Sequence, residues 1–101
     1  MVKPTDNWSL YIIEASDASL YTGISTDVER RFAEHRHGPR GARYFNGRSP
    51  LRIIYREDGH SRASASRREL EVKKLSRQAK QRLVAEAGQA PLTPFVSEPL
   101  A

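Results

Sequence analysis

The feature that most constrains the fold of this chain is a pair of short alternating segments joined by a polar connection. From Trp8 to Ile13, successive side chains alternate with a period of two and are rich in aromatic and β-branched types, which predicts a strand. Leu20 to Ile24 predicts a second strand, and the connection between them, Ala15 to Ser19, is short enough to predict an antiparallel hairpin. Tyr11 and Tyr21 are therefore expected on neighbouring strands.

A helix is predicted after this hairpin. Thr26-Asp27-Val28-Glu29 has the form of a capping box, and Gly38-Pro39 ends the helix near residue 37. At 100° per residue, Arg31 lies beside the apolar face, whereas Arg30 lies nearly opposite that face. We therefore expect Arg31 to reach the sheet side and Arg30 to be exposed to solvent.

The segment from Gly38 to Pro50 is predicted to be a basic loop. It interleaves Arg40, Arg43 and Arg48 with aromatic residues and glycines, a mixture too polar and too broken for a regular element. Arginines in such a loop are typical of phosphate contacts, so these three are predicted to bind nucleic acid.

The remaining regular elements are a strand and a helical region. Leu51 to Tyr55 predicts a third strand. A helix is expected to begin between Ser61 and Ser66, with Ser66 and Glu69 as a possible cap, and to continue through Leu75. Another helical turn or two is expected as far as about residue 87, either as a continuation of this helix or as a further short helix.

This order of elements, β-β-α-β-α, predicts an α+β fold in which a small three-stranded sheet, antiparallel or mixed, is flanked by helices. Residues 1–7 are interpreted as an N-terminal extension and residues 8–87 as the single domain. Residues 88–101 contain Pro91, Pro94 and Pro99, and are interpreted as a flexible tail.

Composition narrows the classes of partner. The net charge of +5 favours a polyanion, with nucleic acid as the leading class. The absence of cysteine excludes disulfides and thiolate metal sites. No apolar run is long enough to cross a bilayer and no secretory signal is visible, so no membrane partner and a cytoplasmic location are expected.

Five residues in a characteristic order carry a resemblance to a known family. Tyr11 lies in Leu-Tyr-Ile, Tyr21 begins Tyr-Thr-Gly, Arg31 and His35 follow on the predicted helix, and Glu69 comes on the next one. This set resembles the GIY-YIG nuclease superfamily over Trp8 to about Lys80. Within it, the chain is most similar to the small single-domain, YhbQ-like members, which share the Leu-Tyr-Thr-Gly-Ile and Asp-Val-Glu-Arg-Arg runs.

The resemblance implies a metal-dependent endonuclease that hydrolyses nucleic acid, with DNA favoured over RNA, in repair or turnover. By the same resemblance, Arg31 donates hydrogen bonds to the scissile phosphate, and Glu69 is the protein ligand of a single Mg²⁺ or Mn²⁺. Tyr11 is the general base with Tyr21 as its hydrogen-bonding partner, and His35 positions the water or the phosphate. A tyrosine base requires nearby cations, because a free phenol has a pKa near ~10.

The chain departs from the family pattern in several places. The first motif is Ser9-Leu10-Tyr11, without its Gly and Ile, and Thr22 stands in the middle of the second. Ile24 replaces a lysine that some members carry, and no asparagine follows Glu69. Both tyrosines survive these changes, and Gly23 is expected where a backbone or phosphate approaches closely.

Two hypotheses follow, a nuclease and a non-catalytic nucleic-acid-binding module on the same basic surface. Taken singly, a strand tyrosine usually packs, and Glu69 could simply pair with Lys73 at i+4. The five residues together favour the nuclease. His37 and His60 are interpreted as structural or solvated, and Ser64 and Ser66 as helix caps. Branched DNA, single strands, nicked duplex and RNA, and any oligomeric state, are all compatible with this sequence.

Overall fold

A computed structural model describes residues 6–37 and 43–89 of the chain. One antiparallel sheet has the strand order β2-β1-β3, with bounds β1 Trp8–Ala15, β2 Leu20–Ser25 and β3 Pro50–His60. The helices are α1 Val28–His37, α2 Arg62–Lys73 and α3 Arg77–Ala87, and a 3₁₀ turn spans Arg43–Phe45. The predicted α+β fold is confirmed, with the sheet antiparallel throughout. None of the helices in these residues is long and apolar enough to cross a membrane.

The central strand β1 is buried on both faces, because side chains of different helices cover its two sides. Leu10 and Ile12 pack in one cluster with Val72 of α2. Tyr11 belongs to a second cluster, which includes Val28 of α1. The alternation of a strand therefore places Tyr11 on the α1 side of the sheet and its neighbour Leu10 on the α2 side.

Register places both candidate tyrosines on the same face. In the β1–β2 hairpin, Tyr11 lies opposite Gly23 and Ile13 lies opposite Tyr21. Because directly paired residues share a face, Tyr11, Gly23 and Tyr21 all point toward α1.

The N-cap of helix α1 lies one residue later in the chain than predicted. The side chain of Asp27, not that of Thr26, accepts a hydrogen bond from the Arg30 amide at 3.1 Å. Glu29 does not fold back to complete a box either, since its carboxylate binds the guanidinium of Arg56 on β3 at 2.7 Å. The predicted Thr26–Glu29 box is therefore wrong, and Asp27 alone caps the helix.

The second helical region is divided into two full helices. Ser61 is the N-cap of α2 and exchanges hydrogen bonds with Ser64, so the predicted cap at Ser66 is wrong and Ser66 lies inside the helix. Helix α2 ends at Lys73 rather than continuing through Leu75, and Ser76 caps a new helix by accepting from the Ala79 amide at 3.1 Å.

Strand β3 is about twice as long as predicted, because its polar second half is held by side-chain contacts. Arg56 binds Asp58 at 2.6 Å, and Asp58 accepts a hydrogen bond from Ser9 of β1 at 2.6 Å. Gln89, just after α3, bonds through its side-chain amide to both the amide N–H and the carbonyl of Arg56, at 3.1 and 2.7 Å. These contacts fix α3 and the end of the described chain against β3.

Candidate active site

Tyr11, Tyr21, Arg31 and His35 lie together on the α1 side of the β1–β2 hairpin, whereas Glu69 belongs to α2. The rings of Tyr11, Tyr21 and His35 are mutual neighbours, with centroids 5.2 to 6.3 Å apart. The charges of Arg31 and Glu69 both act on the phenols of Tyr11 and Tyr21. The structure thus assembles Tyr11 from β1, Tyr21 from β2, Arg31 and His35 from α1, and Glu69 from α2.

Gly23 makes room for the Tyr11 ring. A Cβ atom at position 23 would lie 2.6 Å from the Tyr11 hydroxyl oxygen and 2.7 Å from its Cζ, far inside van der Waals contact. The ring therefore lies across the backbone of β2 and directs its hydroxyl toward α1. A close approach of a backbone or phosphate was expected at Gly23, and the approaching group within this chain is the Tyr11 side chain.

The hydroxyl of Tyr11 is hydrogen-bonded to Nε2 of His35 at 3.1 Å. His35 is buried on the same helical face as Val28 and Phe32, at i+7 and i+3 from them. Burial, and then the positive charge of Arg31, lower the pKa of His35 to about 4. The imidazole is therefore neutral at physiological pH, and one of its nitrogens can accept a hydrogen bond.

Arg31 and Arg30 occupy the environments predicted from the helical wheel. The Arg31 side chain is 31% exposed and binds Glu34 at 2.9 Å, whereas Arg30 is 71% exposed. Burial and then the neighbouring Tyr21 raise the pKa of Tyr11, and Arg31 opposes this shift through its charge and a hydrogen bond. Arg31 is thus the protein cation that acts on Tyr11 toward the phenolate.

Glu69 lies between two buried residues of α2, Ala65 at i−4 and Val72 at i+3. Its side chain is 22% exposed, and its Oε2 lies 3.3 Å from Nζ of Lys73, which is 50% exposed. The pairing with Lys73 that the i+4 spacing allowed is therefore present. An ion pair this open to solvent is worth roughly 0–1 kcal/mol, so it does not hold Glu69 away from a cation.

The donor set suits a hard divalent cation held mainly by substrate. Magnesium accepts one or two protein carboxylates and takes its other ligands from water and phosphate oxygens. Glu69 supplies one such carboxylate, whose charge acts on the two phenols. Within residues 6–37 and 43–89, no group of three or more His, Asp and Glu side chains forms a metal cage, so a cation here would share its ligands with the phosphate.

Two aromatic residues that the sequence placed only in a basic loop cover the site. Phe45 lies 4.9 Å from the His35 ring and 5.1 Å from that of Tyr21, centroid to centroid. Tyr44 lies 5.1 Å from Tyr21. Their proximity to arginines was the only signal in the sequence, because their contacts with α1 and β2 are long-range. They shield the Tyr11–His35 pair from water, and a lower local dielectric strengthens the hydrogen bond between these two side chains.

The three loop arginines differ in their surroundings. Arg43 is exposed on the 3₁₀ turn. Arg48 binds Asp17 at 3.4 Å and its guanidinium lies 4.3 Å from the centroid of the Tyr44 ring. Arg40 lies outside the described residues.

The other two histidines lie elsewhere. His37 is exposed at the end of α1. His60 is hydrogen-bonded to Ser64 at 2.8 Å and to Glu57 at 3.0 Å, where it joins β3 to α2. Their contacts fit the structural and solvated interpretations made from the sequence.

Comparison with known proteins relates this chain to a family. The family model described as the GIY-YIG catalytic domain matches residues 7–82. The chain is 43% identical over 93 residues to the UPF0213 protein YhbQ of Escherichia coli, covering 91% of this chain and 92% of that protein. It is 47% identical over 77 residues to a UPF0213 protein of Natronomonas pharaonis, covering 76% and 89%.

The structure of a similar protein has also been solved. The solution NMR structure of a UPF0213 protein from Bacillus halodurans superposes with a TM-score of 0.52 at 43% identity, over 80% of this chain and 85% of that one. The arrangement of strands and helices is therefore shared with this group of proteins, whose names state no activity or substrate.

Proposed function

Since the chain belongs to the GIY-YIG nuclease family, we propose that it is a metal-dependent endonuclease that hydrolyses phosphodiester bonds in DNA, in repair or turnover. The observation that supports this best is the convergence of an arginine, a neutral histidine, two phenols and a carboxylate from four elements. A surface that only binds phosphates needs cations, and has no use for a carboxylate held beside two tyrosines.

In the proposed reaction, Arg31 is the group that binds the phosphate. Its guanidinium, on the buried edge of α1, can donate two parallel hydrogen bonds to phosphate oxygens. As the transition state develops, negative charge on these oxygens grows, and so does their interaction with Arg31. A divalent cation held by Glu69 would supply further charge neutralisation at the phosphate and the leaving 3′-oxygen.

Tyr11 is the proposed base. Its hydroxyl is held by a hydrogen bond to neutral His35, and as the phenolate it would accept the proton of the attacking water. Because burial raises the pKa of Tyr11, proton transfer from water depends on Arg31 to stabilise the phenolate. His35 thus orients the base in the place of Tyr21, which the resemblance implied as its hydrogen-bonding partner and which packs beside it instead.

The loop arginine Arg43 is proposed to contact flanking phosphates, since it is exposed and lies in the same 3₁₀ turn as Tyr44 and Phe45. Arg40, outside the described residues, is proposed for the same role on its charge alone. Such contacts position the strand without reading its bases.

A non-catalytic binding module is the second candidate. Two observations favour it. The carboxylate of Glu69 is paired with Lys73 rather than with a cation, and the raised pKa of Tyr11 keeps its phenol protonated. The two candidates differ in what happens when a divalent cation is added.

The experiment is metal-dependent nicking of a labelled panel containing branched DNA, nicked duplex, single strands and RNA. The wild-type chain is expected to cut in magnesium or manganese and not in a chelator, and Glu69→Gln is expected to bind without cutting. Binding without cleavage by the wild type on the whole panel would leave the binding module as the function.

A further inference from the structure

The segment that carries Tyr44 and Arg48 is fastened to the β1–β2 turn. The amide of Ser16 donates to the carbonyl of Ser49 at 2.8 Å, and the amide of Ser49 donates to the Ser16 hydroxyl at 2.9 Å. Arg48 donates to the hydroxyl of Ser19 at 3.3 Å. Side chains on this segment are therefore held in place before any ligand arrives.

Within that segment, Arg48 and Tyr44 form a stack. The guanidinium carbon lies 4.3 Å from the centroid of the Tyr44 ring, and the ring lies 5.1 Å from that of Tyr21. Tyr44 is half-buried, and the Arg48 side chain is 33% exposed. A guanidinium in contact with an aromatic ring therefore lies at the rim of the candidate site, where Tyr44 neighbours Tyr21.

The charge of Arg48 is already compensated. Asp17 lies 3.4 Å from its Nη1, and hydrogen bonds from Ser19, with a smaller effect of Arg48, keep the pKa of Asp17 below its usual range. Arg48 is therefore a weaker phosphate ligand than its sequence position suggested. Arg43, by contrast, is exposed and forms no ion pair with any residue that the structure describes.

We propose that the Tyr44–Arg48 stack is a platform for one unpaired nucleobase beside the scissile phosphate. This rests on the proposed function, because it assumes nucleic acid in the neighbouring site. Bases stack on aromatic rings and on guanidinium planes alike, without regard to sequence. A base inside a duplex has both faces covered by its neighbours, so the base on this platform belongs to a single-stranded segment, a loop or an end.

The test compares two labelled single-stranded DNA oligonucleotides in a chelator, one intact and one in which abasic sites replace the bases but every phosphate remains. Tyr44→Leu removes the ring and keeps apolar volume, and Arg48→Lys keeps the charge and removes the plane. Each is expected to bind the intact strand about fivefold to a hundredfold more weakly, and the abasic strand as the wild type does. Tyr44→Phe is expected to match the wild type on both.

Arg43→Ala is the matched control for a phosphate contact. It is expected to lose affinity equally for both strands and to lower the slope of log affinity against log salt by about 0.7. For Arg48→Lys and Tyr44→Leu, the slope is expected to stay unchanged.

Equal losses on both strands for Tyr44→Leu would mean that the ring only supports the loop, and would overturn the platform. A wild-type chain that cuts the panel but binds intact and abasic strands equally would overturn the platform and leave the nuclease proposal standing. A chain that binds no nucleic acid would overturn both.

Discussion

The hydroxyl of Tyr11 and Nε2 of His35 lie 3.1 Å apart in the buried centre of the candidate site. The contact joins β1 to α1 across the backbone of Gly23. Because the imidazole is neutral, the pair is a directed hydrogen bond between uncharged groups, and its strength depends on pH.

The first prediction concerns stability against pH. Folding lowers the pKa of His35 from 6.5 to about 4, so between these values the unfolded chain binds a proton that the folded chain does not. Stability should therefore rise with pH across this window, by up to about 1.4 kcal/mol per unit from this group, and level off above it. Urea unfolding at pH 4.5, 5.5 and 7 measures the slope, which should be shallower in His35→Gln.

His37→Gln is the control, since this histidine lies on the same helix but is exposed. It should retain the wild-type slope. An identical slope in His35→Gln and the wild type would show that His35 is not the group responsible.

The second prediction separates two neighbouring arginines. Arg31→Ala should abolish cleavage, because it removes the guanidinium beside Tyr11, whereas Arg30→Ala should keep most of it, because that side chain is 71% exposed. Initial rates of nicking in magnesium measure the difference. Equal loss in both variants would contradict the assignment of Arg31.

The third prediction concerns Glu69. Glu69→Gln keeps the volume and removes the charge, so cleavage in magnesium or manganese should fail while affinity for DNA in a chelator is unchanged. Its ion pair with Lys73 is open to solvent, so the melting temperature should change by no more than about 8 °C.

Glu71→Gln serves as the comparison for this charge change, since Glu71 lies two residues further along α2 and its side chain is 65% exposed. This variant should cut like the wild type. If Glu69→Gln instead melts far lower and still cuts, Glu69 is a structural partner of Lys73 and the metal site lies elsewhere.

The fourth prediction concerns Gly23. An alanine Cβ would lie 2.6 Å from the hydroxyl of Tyr11, which is 1% exposed and has no free space to move into. Gly23→Ala should therefore cost about 1–3 kcal/mol of stability and displace the hydroxyl from His35, with loss of cleavage. Chemical unfolding and nicking rates measure the two effects, and a fully stable, fully active variant would refute the packing argument.

The fifth prediction concerns the stability contribution of Thr22, the residue before Gly23. Thr22 is 2% exposed, and its Oγ1 has no hydrogen-bond partner among the described residues. Thr22→Val replaces this hydroxyl with a methyl group of similar size, so it should stabilise the chain by about 1 kcal/mol. Cleavage should be unchanged, because Thr22 points to the face of the sheet opposite Tyr11. A loss of stability would show that the hydroxyl is satisfied.

Features set by local periodicity were predictable from the sequence. The hairpin, the order of elements and the opposite placement of Arg30 and Arg31 follow from the two-residue period of a strand and the 3.6-residue period of a helix. For the helix caps, the sequence predicted the short region in which each helix begins but not the residue that caps it. Thr26 and Asp27 are both suitable caps by residue type. Asp27 caps the helix, and its amide donates a hydrogen bond to the Ser25 hydroxyl at the end of β2.

Features set by contacts distant in sequence were decided by the tertiary structure. The sequence by itself determined that Tyr11, Tyr21, Arg31, His35 and Glu69 are spaced as in the GIY-YIG family. Only the fold placed the Tyr11 ring over Gly23 and packed Phe45 against His35, whose resulting burial keeps the imidazole uncharged. Periodicity fixes the face on which a side chain lies, whereas its hydrogen bonds, its burial and hence its pKa depend on residues from other elements.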